Sequence, residues 1–254
     1  MKLPIRSQTT NATINIALDT IQQSRQALVF CNTKRGAESQ AEQIALKLPE
    51  KAELQQLSEK ILKVMTKPTK QCERLARCVK KGVAFHHAGL TAKQRHAIEY
   101  AFKDSVISII CSTPSLAMGV DLPAFRVIVR DLKRYGGSWG MTPIPVLEYH
   151  QQIGRAGRPG KETEGQSITL AKSEGEKDAI KNTYIFGEPE EIVSKLAVEP
   201  VFRTYVLMLI ATDYCKTGKD LQNFFEKTFY AHCYGDTSKI HFMIEKTVKQ
   251  LSEW

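Results

Sequence analysis

The sequence lacks the patterns of several common protein classes. Its six cysteines include no Cys-x-x-Cys pair, so a zinc site, a redox motif or a disulfide framework has little support. No apolar run reaches the roughly 18 residues that a membrane-spanning helix needs, and the N-terminus has no apolar signal-peptide core. We therefore expect no metal ligands, no membrane partner and a cytoplasmic location.

A phosphate-binding loop of the form Gly-x-x-x-x-Gly-Lys-Ser/Thr is also absent from the 254 residues. The chain nevertheless contains the segment Gln151-x-x-Gly154-Arg155-Ala156-Gly157-Arg158, in which two arginines stand three residues apart. On a helix this spacing puts both guanidinium groups on one face, and each can pair with phosphate oxygens through two hydrogen bonds. The segment therefore predicts contact with a polyphosphate that is held elsewhere. The alternative is that the arginines form a solvated helix end before Pro159.

Positive charge is concentrated in the first part of the chain. The whole sequence has 36 Lys and Arg against 27 Asp and Glu, a formal net charge of +9. Residues 1–186 hold 28 of the basic and 17 of the acidic residues, whereas residues 187–254 hold 8 and 10. A polyanionic partner is therefore expected on residues 1–186.

Short apolar runs alternate with segments of helical period over residues 1–186. The runs are 27–31, 83–85, 106–111, 126–129 and 166–171. Their alternation with helices predicts an α/β fold with a doubly wound parallel sheet whose strands are buried on both faces. Ligands of such sheets bind beyond the carboxyl ends of the strands. The polar segments 32–35, 86–89 and 112–113 follow three of the runs and are expected to meet at that edge.

Residues 187–254 have short helical patterns and a net negative balance. We expect a second domain here, a small helical unit of the winged-helix type. A winged helix that binds nucleic acid is usually basic. The acidic balance therefore favours a role in bracing the first domain over direct contact with nucleic acid.

A Gly-rich turn separates two extended runs at about residues 130–146, which predicts a β-hairpin. Tyr135, Trp139 and Met141 lie near its turn, and aromatic groups beside basic residues are suited to stacking on bases. Pro143 and Pro145 weaken the returning strand, so a short hairpin is expected. The alternative is a surface loop in which Trp139 packs back onto the domain.

Four segments, in this order and at this spacing, resemble the motifs of one helicase family. Residues 27–35 resemble motif IV, residues 85–90 motif IVa, residues 112–123 motif V and residues 151–158 motif VI of the second RecA-like lobe of superfamily-two helicases. The resemblance is greatest to archaeal Hjm-type DNA helicases, and it extends more distantly to the helicase part of DNA polymerase theta and to Ski-like helicases. Residues 184–190 and the apolar segment after Val201 also resemble the winged-helix domain that follows this lobe. The first RecA-like lobe, with its phosphate-binding loop, has no counterpart here.

The resemblance implies that the ligands are ATP and Mg²⁺, bound mainly by the missing lobe. It implies that Arg155 and Arg158 are arginine fingers that act on the ATP phosphates. It also places four residues on the nucleotide side, with Asp121 near the ribose. These are Gln151, Gly119, Asp121 and Gly154.

Nucleic-acid contacts are expected from the strand ends, where backbone N–H groups, hydroxyl groups and basic side chains can hold phosphate oxygens. The candidates are Asn32, Thr33, Arg35, His87, Gly89 and Thr113, with Tyr135 and Trp139 of the hairpin. The resemblance implies that His87 faces the nucleic acid while His86 packs in the core. Adjacent side chains at a strand end point in opposite directions, so a zinc site at the two histidines is not expected. Ser112 and Thr113 have an alternative role as caps of the following turn.

The resulting expectation is the C-terminal motor lobe of an ATP-dependent 3′-5′ DNA helicase that acts on forked or branched DNA. Its partners are single-stranded or forked DNA and a P-loop lobe, in cis or in trans, without which the chain is expected to be inactive. Two alternatives stay open. One is a stand-alone nucleic-acid-binding or regulatory module without ATPase activity. The other is part of a Ski-like RNA helicase, since backbone contacts distinguish DNA from RNA poorly.

Overall fold

Seven short strands lie in the first of the two units into which internal contacts divide the chain, Met1–Glu190 and Glu191–Trp254. The structure, a computed structural model, describes residues 5–137, 140–157, 164–235 and 237–253. The predicted boundary after residue 186 lies close to the division. The described strands are β1 (Ala27–Phe30), β2 (Val83–His86), β3 (Ile109–Ser112), β4 (Arg126–Val129), β5 (Lys133–Tyr135), β6 (Met141–Pro143) and β7 (Gln166–Thr169).

Five of these strands form one sheet in the order β2-β3-β1-β4-β7, and each neighbouring pair is parallel. Every residue of β1, β2, β3 and β4 is buried, as expected for strands covered on both faces. These observations confirm the predicted α/β class with a doubly wound parallel sheet. Because the strands are parallel, the residues that follow β1, β2 and β3 lie at one edge of the sheet, which we call the carboxyl edge.

Seven α-helices lie among the described residues of the first unit. They are α1 (Ala12–Gln22), α2 (Lys34–Ala45), α3 (Gln55–Lys63), α4 (Lys70–Val79), α5 (Ala92–Lys103), α6 (Val146–Ile153) and α7 (Glu174–Ile180). All except α3 and α6 begin after a residue whose side chain caps them. Thr91 and Gln94 form a capping box at the start of α5. Strand β3 begins at Ile109, later than predicted, because Val106 and Ile107 donate hydrogen bonds to the carbonyl of Ala101 and close helix α5 instead. Helix α4 is an element that the sequence-based expectation omits.

The second unit is helical within its described residues. Its helices are α8 (Glu199–Ala211), α9 (Gly218–Phe225), α10 (Phe229–Tyr234) and α11 (Thr237–Ser252). They enclose a separate core, in which the rings of Phe202 and Phe225 lie 4.6 Å apart. No strand occurs among the residues described for this unit, so the winged-helix assignment stays a prediction. Over the described parts of both units, we find no helix with the length and apolar character needed to cross a lipid bilayer.

Two adjacent histidines at the end of β2 are buried against carboxylates. Nε2 of His86 lies 2.8 Å from Oε1 of Glu99, and Nε2 of His87 lies 3.1 Å from Oε1 of Glu38. Nδ1 of His87 accepts a hydrogen bond from the amide of Gly89, so its single proton belongs on Nε2, which donates to Glu38. Burial lowers the pKa of both histidines below the ordinary value of 6.5, although the carboxylates act in the opposite direction.

These pKa shifts predict a pH-dependent stability. Below about pH 6.5 the unfolded chain takes up protons that the folded chain excludes. The two neutral histidines therefore make their full contribution to the free energy of unfolding above that pH, and this contribution is lost as the pH falls. Each histidine contributes a slope of up to about 1.4 kcal/mol per pH unit. We expect His87→Gln to make the decline between pH 6.5 and 5 shallower in urea unfolding. His96→Gln, which replaces an exposed histidine, is the control, and equal slopes for the two variants would contradict the prediction.

Two buried glutamines differ in their hydrogen bonding. The amide of Gln26 donates to the carbonyls of Phe102 and Ile107 and so fastens the turn after α5 to β1. Gln152, on α6, is fully buried, and neither atom of its carboxamide has a hydrogen-bond partner among the described residues. Burying an unpaired polar group costs free energy, whereas a paired one costs little.

Substitution of the two glutamines by methionine, which has a similar volume, should therefore have opposite effects. We expect Gln152→Met to raise the free energy of unfolding by about 1–2 kcal/mol and Gln26→Met to lower it by about 1–3 kcal/mol, because only the second leaves carbonyl groups unpaired. Urea unfolding of both variants measures this. A loss of stability in Gln152→Met as large as that in Gln26→Met would show that Gln152 is well paired.

Candidate functional site

A short hairpin extends between β4 and α6. Strands β5 and β6 pair antiparallel, with Tyr135 opposite Met141. Gly137 and Gly140 in the connecting turn have φ of 68° and 66°, which favour glycine. The side chains of Tyr135 and Met141 are 73% and 62% exposed, so the end of the hairpin presents apolar surface to solvent. Trp139 lies outside the described residues.

The base of the hairpin is tied to the residue that follows β1. The carboxamide of Asn32 donates to the carbonyls of Asp131 and Lys133, and the amide of Ile144 donates to the carbonyl of Leu132 across the base. The expectation that Asn32 binds nucleic acid therefore needs correction. Its amide hydrogens are used within the protein, where they orient the hairpin.

The N-terminus of α2 presents basic side chains at the carboxyl edge. Arg35 is exposed in the first turn, beside the exposed Lys34. Thr33 caps the helix by accepting from the amide of Gly36, so its hydroxyl has a structural use. The loop after β2 lies close by, since a Cβ on Gly89 would come within 3.7 Å of the Lys34 side chain. The loops after β1 and β2 thus meet, as the parallel sheet predicts.

The expectation that His87 faces nucleic acid is wrong in its geometry. The side chain is fully buried, stacks on Phe85 with ring centroids 5.6 Å apart, and is bonded to Glu38 and to the amide of Gly89. A buried imidazole cannot touch a strand of nucleic acid. It fixes the shape of the loop that carries Gly89.

Ser112 and Thr113 have different surroundings at the end of β3. Ser112 is fully buried, and its hydroxyl lies 2.9 Å from the carbonyl oxygens of His86 and of Thr113, to either of which it can donate its one hydrogen. Thr113 is half-buried and its hydroxyl lies 2.9 Å from that of Ser115. The side chain of Thr113 does not cap the turn that follows. Of the pair, Thr113 is the one whose hydroxyl lies where an external phosphate can be reached.

Arg155 lies just beyond the end of α6 and contacts the segment between β3 and β4. One Nη donates to the carbonyl of Ala117 at 2.6 Å, and the other lies 3.6 Å from the carboxylate of Asp121. The Arg155 side chain is 24% exposed and that of Asp121 is 89% exposed. An ion pair this exposed contributes about 0–1 kcal/mol. The guanidinium is therefore placed by the protein but is not locked in its interior, and an incoming phosphate can replace the carboxylate.

The backbone around Arg155 is fixed by a bridge to the residues before β4. The amide of Ala124 donates to the carbonyl of Arg155, and the amide of Gly157 donates to the carbonyl of Ala124. Gly157 has φ of 100°, and a Cβ on Gly165 would lie only 2.3 Å from the nitrogen of Gly157. These glycines are required by backbone conformation and close packing.

The remaining nucleotide-side candidates lie in two segments, one next to Arg155 in sequence and one before Asp121. Gln151 is exposed on α6, and Gly154 follows the last helical residue. Gly119 has φ of 82° and open space around its Cα, so it lets the segment before Asp121 turn. Arg158 lies outside the described residues.

Contacts that the sequence did not reveal are made by backbone atoms or across long separations. The carbonyl of Ala117 leaves no side-chain signal. Glu190 accepts hydrogen bonds from the amides of Val146 and Leu147, the first residues of α6, and 44 residues separate the first pair. No local sequence pattern predicts that contact.

Comparison with known proteins agrees with this arrangement. Residues 9–160 match the family described as helicase conserved C-terminal domain. The chain is 43% identical over 254 residues to the ATP-dependent DNA helicase Hel308 of Methanococcus vannielii, which covers 98% of this chain and 33% of that protein. It is 41% identical over 245 residues to the ATP-dependent DNA helicase Hel308 of Methanocella arvoryzae, with 92% of this chain and 33% of that protein covered.

A third relative is the ATP-dependent DNA helicase Hel308 of Pyrococcus horikoshii, 40% identical over 225 residues, with 87% of this chain and 31% of that protein covered. The chain thus spans about a third of the length of these relatives. The parallel sheet, the order of its polar loops and the match over more than half of its residues lead to one assignment. The chain belongs to the helicase conserved C-terminal domain family, and its relatives are superfamily-two helicases of the Hel308 type.

Proposed function

We propose that this chain is the C-terminal motor lobe of an ATP-dependent DNA helicase, and that it supplies arginine fingers to an ATP molecule held by a separate P-loop lobe. The named relatives are ATP-dependent DNA helicases of about three times its length. The observation that supports the proposal best is the position of Arg155. Its backbone is bridged to Ala124, while its guanidinium ends at solvent in a weak ion pair with Asp121.

The proposed chemistry follows from charge. As a terminal phosphoryl group is transferred, negative charge spreads over its oxygens and the leaving oxygen, and a guanidinium placed there lowers the barrier and raises the rate by a factor of about 10³–10⁵. Arg155 provides that charge when the cleft between the two lobes closes, and Arg158 is proposed as its companion. Gln151, Gly119, Asp121 and Gly154 are proposed to line the nucleotide side. Asp121 holds Arg155 until the phosphates arrive.

Magnesium bound with ATP would neutralise charge on the phosphate oxygens. The described residues of this chain include no group of three His, Cys, Asp or Glu side chains that could hold a metal ion. We therefore assign the metal ligands to the P-loop lobe. The proposed role of this chain is to close over the phosphates with its positively charged side chains.

The carboxyl edge is proposed to track one strand of DNA through its phosphates. Arg35 and the hydroxyl of Thr113 are the direct contacts, since both are accessible at adjacent strand ends. Asn32, Thr33 and His87 support the edge and the hairpin from within. The exposed end of the hairpin, with Tyr135 and Met141, is proposed as the wedge that meets a fork while the motor moves in the 3′ to 5′ direction. Trp139 is proposed as a further wedge residue on the sequence alone.

The second unit is proposed as a winged-helix domain that braces the motor, with residues 1–186 as the RecA-like lobe and 187–254 as the brace. The acidic balance of residues 187–254 supports bracing over contact with DNA. The alternatives are a binding module that has no ATPase activity with any P-loop lobe, and a Ski-like helicase whose strand is RNA.

The first test is rescue of ATP hydrolysis. We expect the chain to stimulate DNA-dependent ATP hydrolysis when it is joined to, or mixed with, a matching P-loop lobe. Arg155→Ala should lower that rate by about 10³-fold while DNA retention changes by less than about twofold, because the arginine acts on phosphate charge and not on the strand.

Arg77→Ala serves as the control, because it removes an exposed arginine of α4, far along the chain from the site. Absence of rescue at any ratio of the two lobes would favour the binding module. Equal rates for Arg155→Ala and Arg77→Ala would remove the arginine finger from the account.

The second test is the salt dependence of strand binding. If Arg35 contacts one phosphate, Arg35→Ala should reduce the slope of log Kd against log salt concentration by about 0.7 on single-stranded DNA. Lys103→Ala removes a positive charge at the C-terminal end of α5, which leads to the start of β3 and not to its carboxyl edge, and should leave the slope unchanged. The same titration with RNA as competitor identifies the strand: tighter binding of RNA would assign the chain to the Ski-like alternative.

A further inference from the structure

An ion pair joins the hairpin to helix α6. Nη1 of Arg134, on β5, donates to Oε2 of Glu148 at 2.5 Å. The Glu148 side chain is 8% exposed and that of Arg134 is 46% exposed. The carboxylate end of the pair is therefore withdrawn from water, where the attraction between charges is stronger than on an open surface.

Glu148 depends on Arg134 for charge compensation. Its second oxygen, Oε1, is buried and has no hydrogen-bond partner among the described residues. A carboxylate in such a position is costly unless a positive group stands next to it. This demand fixes the position of the Arg134 side chain, while the bonds from Asn32 to Asp131 and Lys133 fix the base of the same strand.

Capping of α6 does not explain Glu148. It is the third residue of the helix, a position from which a glutamate often bonds back to the helix start. Here the amides of Val146 and Leu147 are already taken by the carboxylate of Glu190. The carboxylate of Glu148 points its hydrogen bond at the hairpin instead.

The two strands of the hairpin are joined to α6 in different ways, β6 through the chain itself and β5 through the ion pair. Strand β6 ends at Pro143, and only Ile144 and Pro145 separate it from α6. Strand β5 has no such link to α6 and reaches it through Arg134. Each strand has three residues, which is too few to hold an orientation by the ladder alone. Helix α6, about 12 Å long at 1.5 Å per residue, then leads from this junction to Arg155.

We propose that the Arg134–Glu148 ion pair is a positioning contact that makes the hairpin and the helix preceding Arg155 move as one body. The inference rests on the proposed function, in which Arg155 responds to ATP and the hairpin meets the duplex. Displacement of α6 during ATP turnover is delivered to the end of the hairpin through both strands. Without the pair the hairpin still forms and its base stays bonded to Asn32, but β5 loses its side-chain link to α6 and the displacement is delivered less completely.

The test compares two activities of the complete natural polypeptide that contains this sequence, with the P-loop lobe present in cis or in trans. One is ATP hydrolysis on single-stranded DNA, and the other is strand separation of a forked duplex. We define the coupling ratio as the rate of strand separation divided by the rate of ATP hydrolysis. We expect Arg134→Gln to leave ATP hydrolysis within about twofold and to lower the coupling ratio about tenfold, the scale of an interaction between residues in contact.

Matched variants separate positioning from general damage. Lys133→Gln removes a charge from the neighbouring exposed residue of the same strand and should keep the wild-type ratio. Arg134→Lys retains the positive charge and should keep it within about twofold. Glu148→Gln removes the buried charge together with the pair, so it should show the same loss as Arg134→Gln even if the latter folds poorly. The double variant should be no worse than either single one, because each removes the same contact.

The outcomes distinguish a failure of the proposed function from a failure of this inference. A wild-type protein that hydrolyses no ATP with DNA overturns the proposed function and this inference together. A wild-type protein that separates strands, with Arg134→Gln and Glu148→Gln as well coupled as Lys133→Gln, overturns only the inference. A loss of hydrolysis in proportion to strand separation does so as well, since it would show a structural role shared by both activities.

Discussion

The bridge between Ala124 and residues 155–157 is the constraint on which the proposed site depends. Two backbone hydrogen bonds hold the segment after α6 against the segment before β4. They bring Arg155 within reach of Ala117 and Asp121, residues that are more than 30 positions away in the chain. The close approach of Gly165 to Gly157 leaves no room for a side chain at Gly165, and the φ of 100° at Gly157 disfavours any other residue there. The two segments that resemble helicase motifs V and VI are thus one structural element, built mainly from backbone.

Magnitudes explain why this element is both ordered and responsive. The backbone bonds are shielded and each contributes about 0.5–1.5 kcal/mol, whereas the exposed pair of Arg155 and Asp121 contributes about 0–1 kcal/mol. The backbone bridge therefore stays intact when the Arg155 guanidinium exchanges one partner for another. At the carboxyl edge the same division recurs. His87, Asn32 and Thr33 are bonded within the protein, while Arg35 is left exposed.

The sequence predicts the sheet well because burial on both faces leaves a local signal. Continuous apolar runs mark β1 and β4 to within a residue, and the parallel arrangement then brings the loops after the strands together. It fails at His87 and Asn32 because their partners, Glu38 and Asp131, are 49 and 99 residues away. Whether a polar side chain at a strand end faces a ligand or the interior depends on such partners. The pairing of Arg134 with Glu148 escapes prediction for the same reason, since it joins a strand to a helix across a turn.

The most direct test of the proposed role of Arg155 is a structure of the complete polypeptide with a P-loop lobe and a non-hydrolysable ATP analogue. We expect the Arg155 guanidinium to lie about 3 Å from a terminal phosphate oxygen, with its backbone still bridged to Ala124 and its contact with Asp121 lost. A nucleotide bound between the lobes while Arg155 stays on Asp121 and the carbonyl of Ala117 would contradict it.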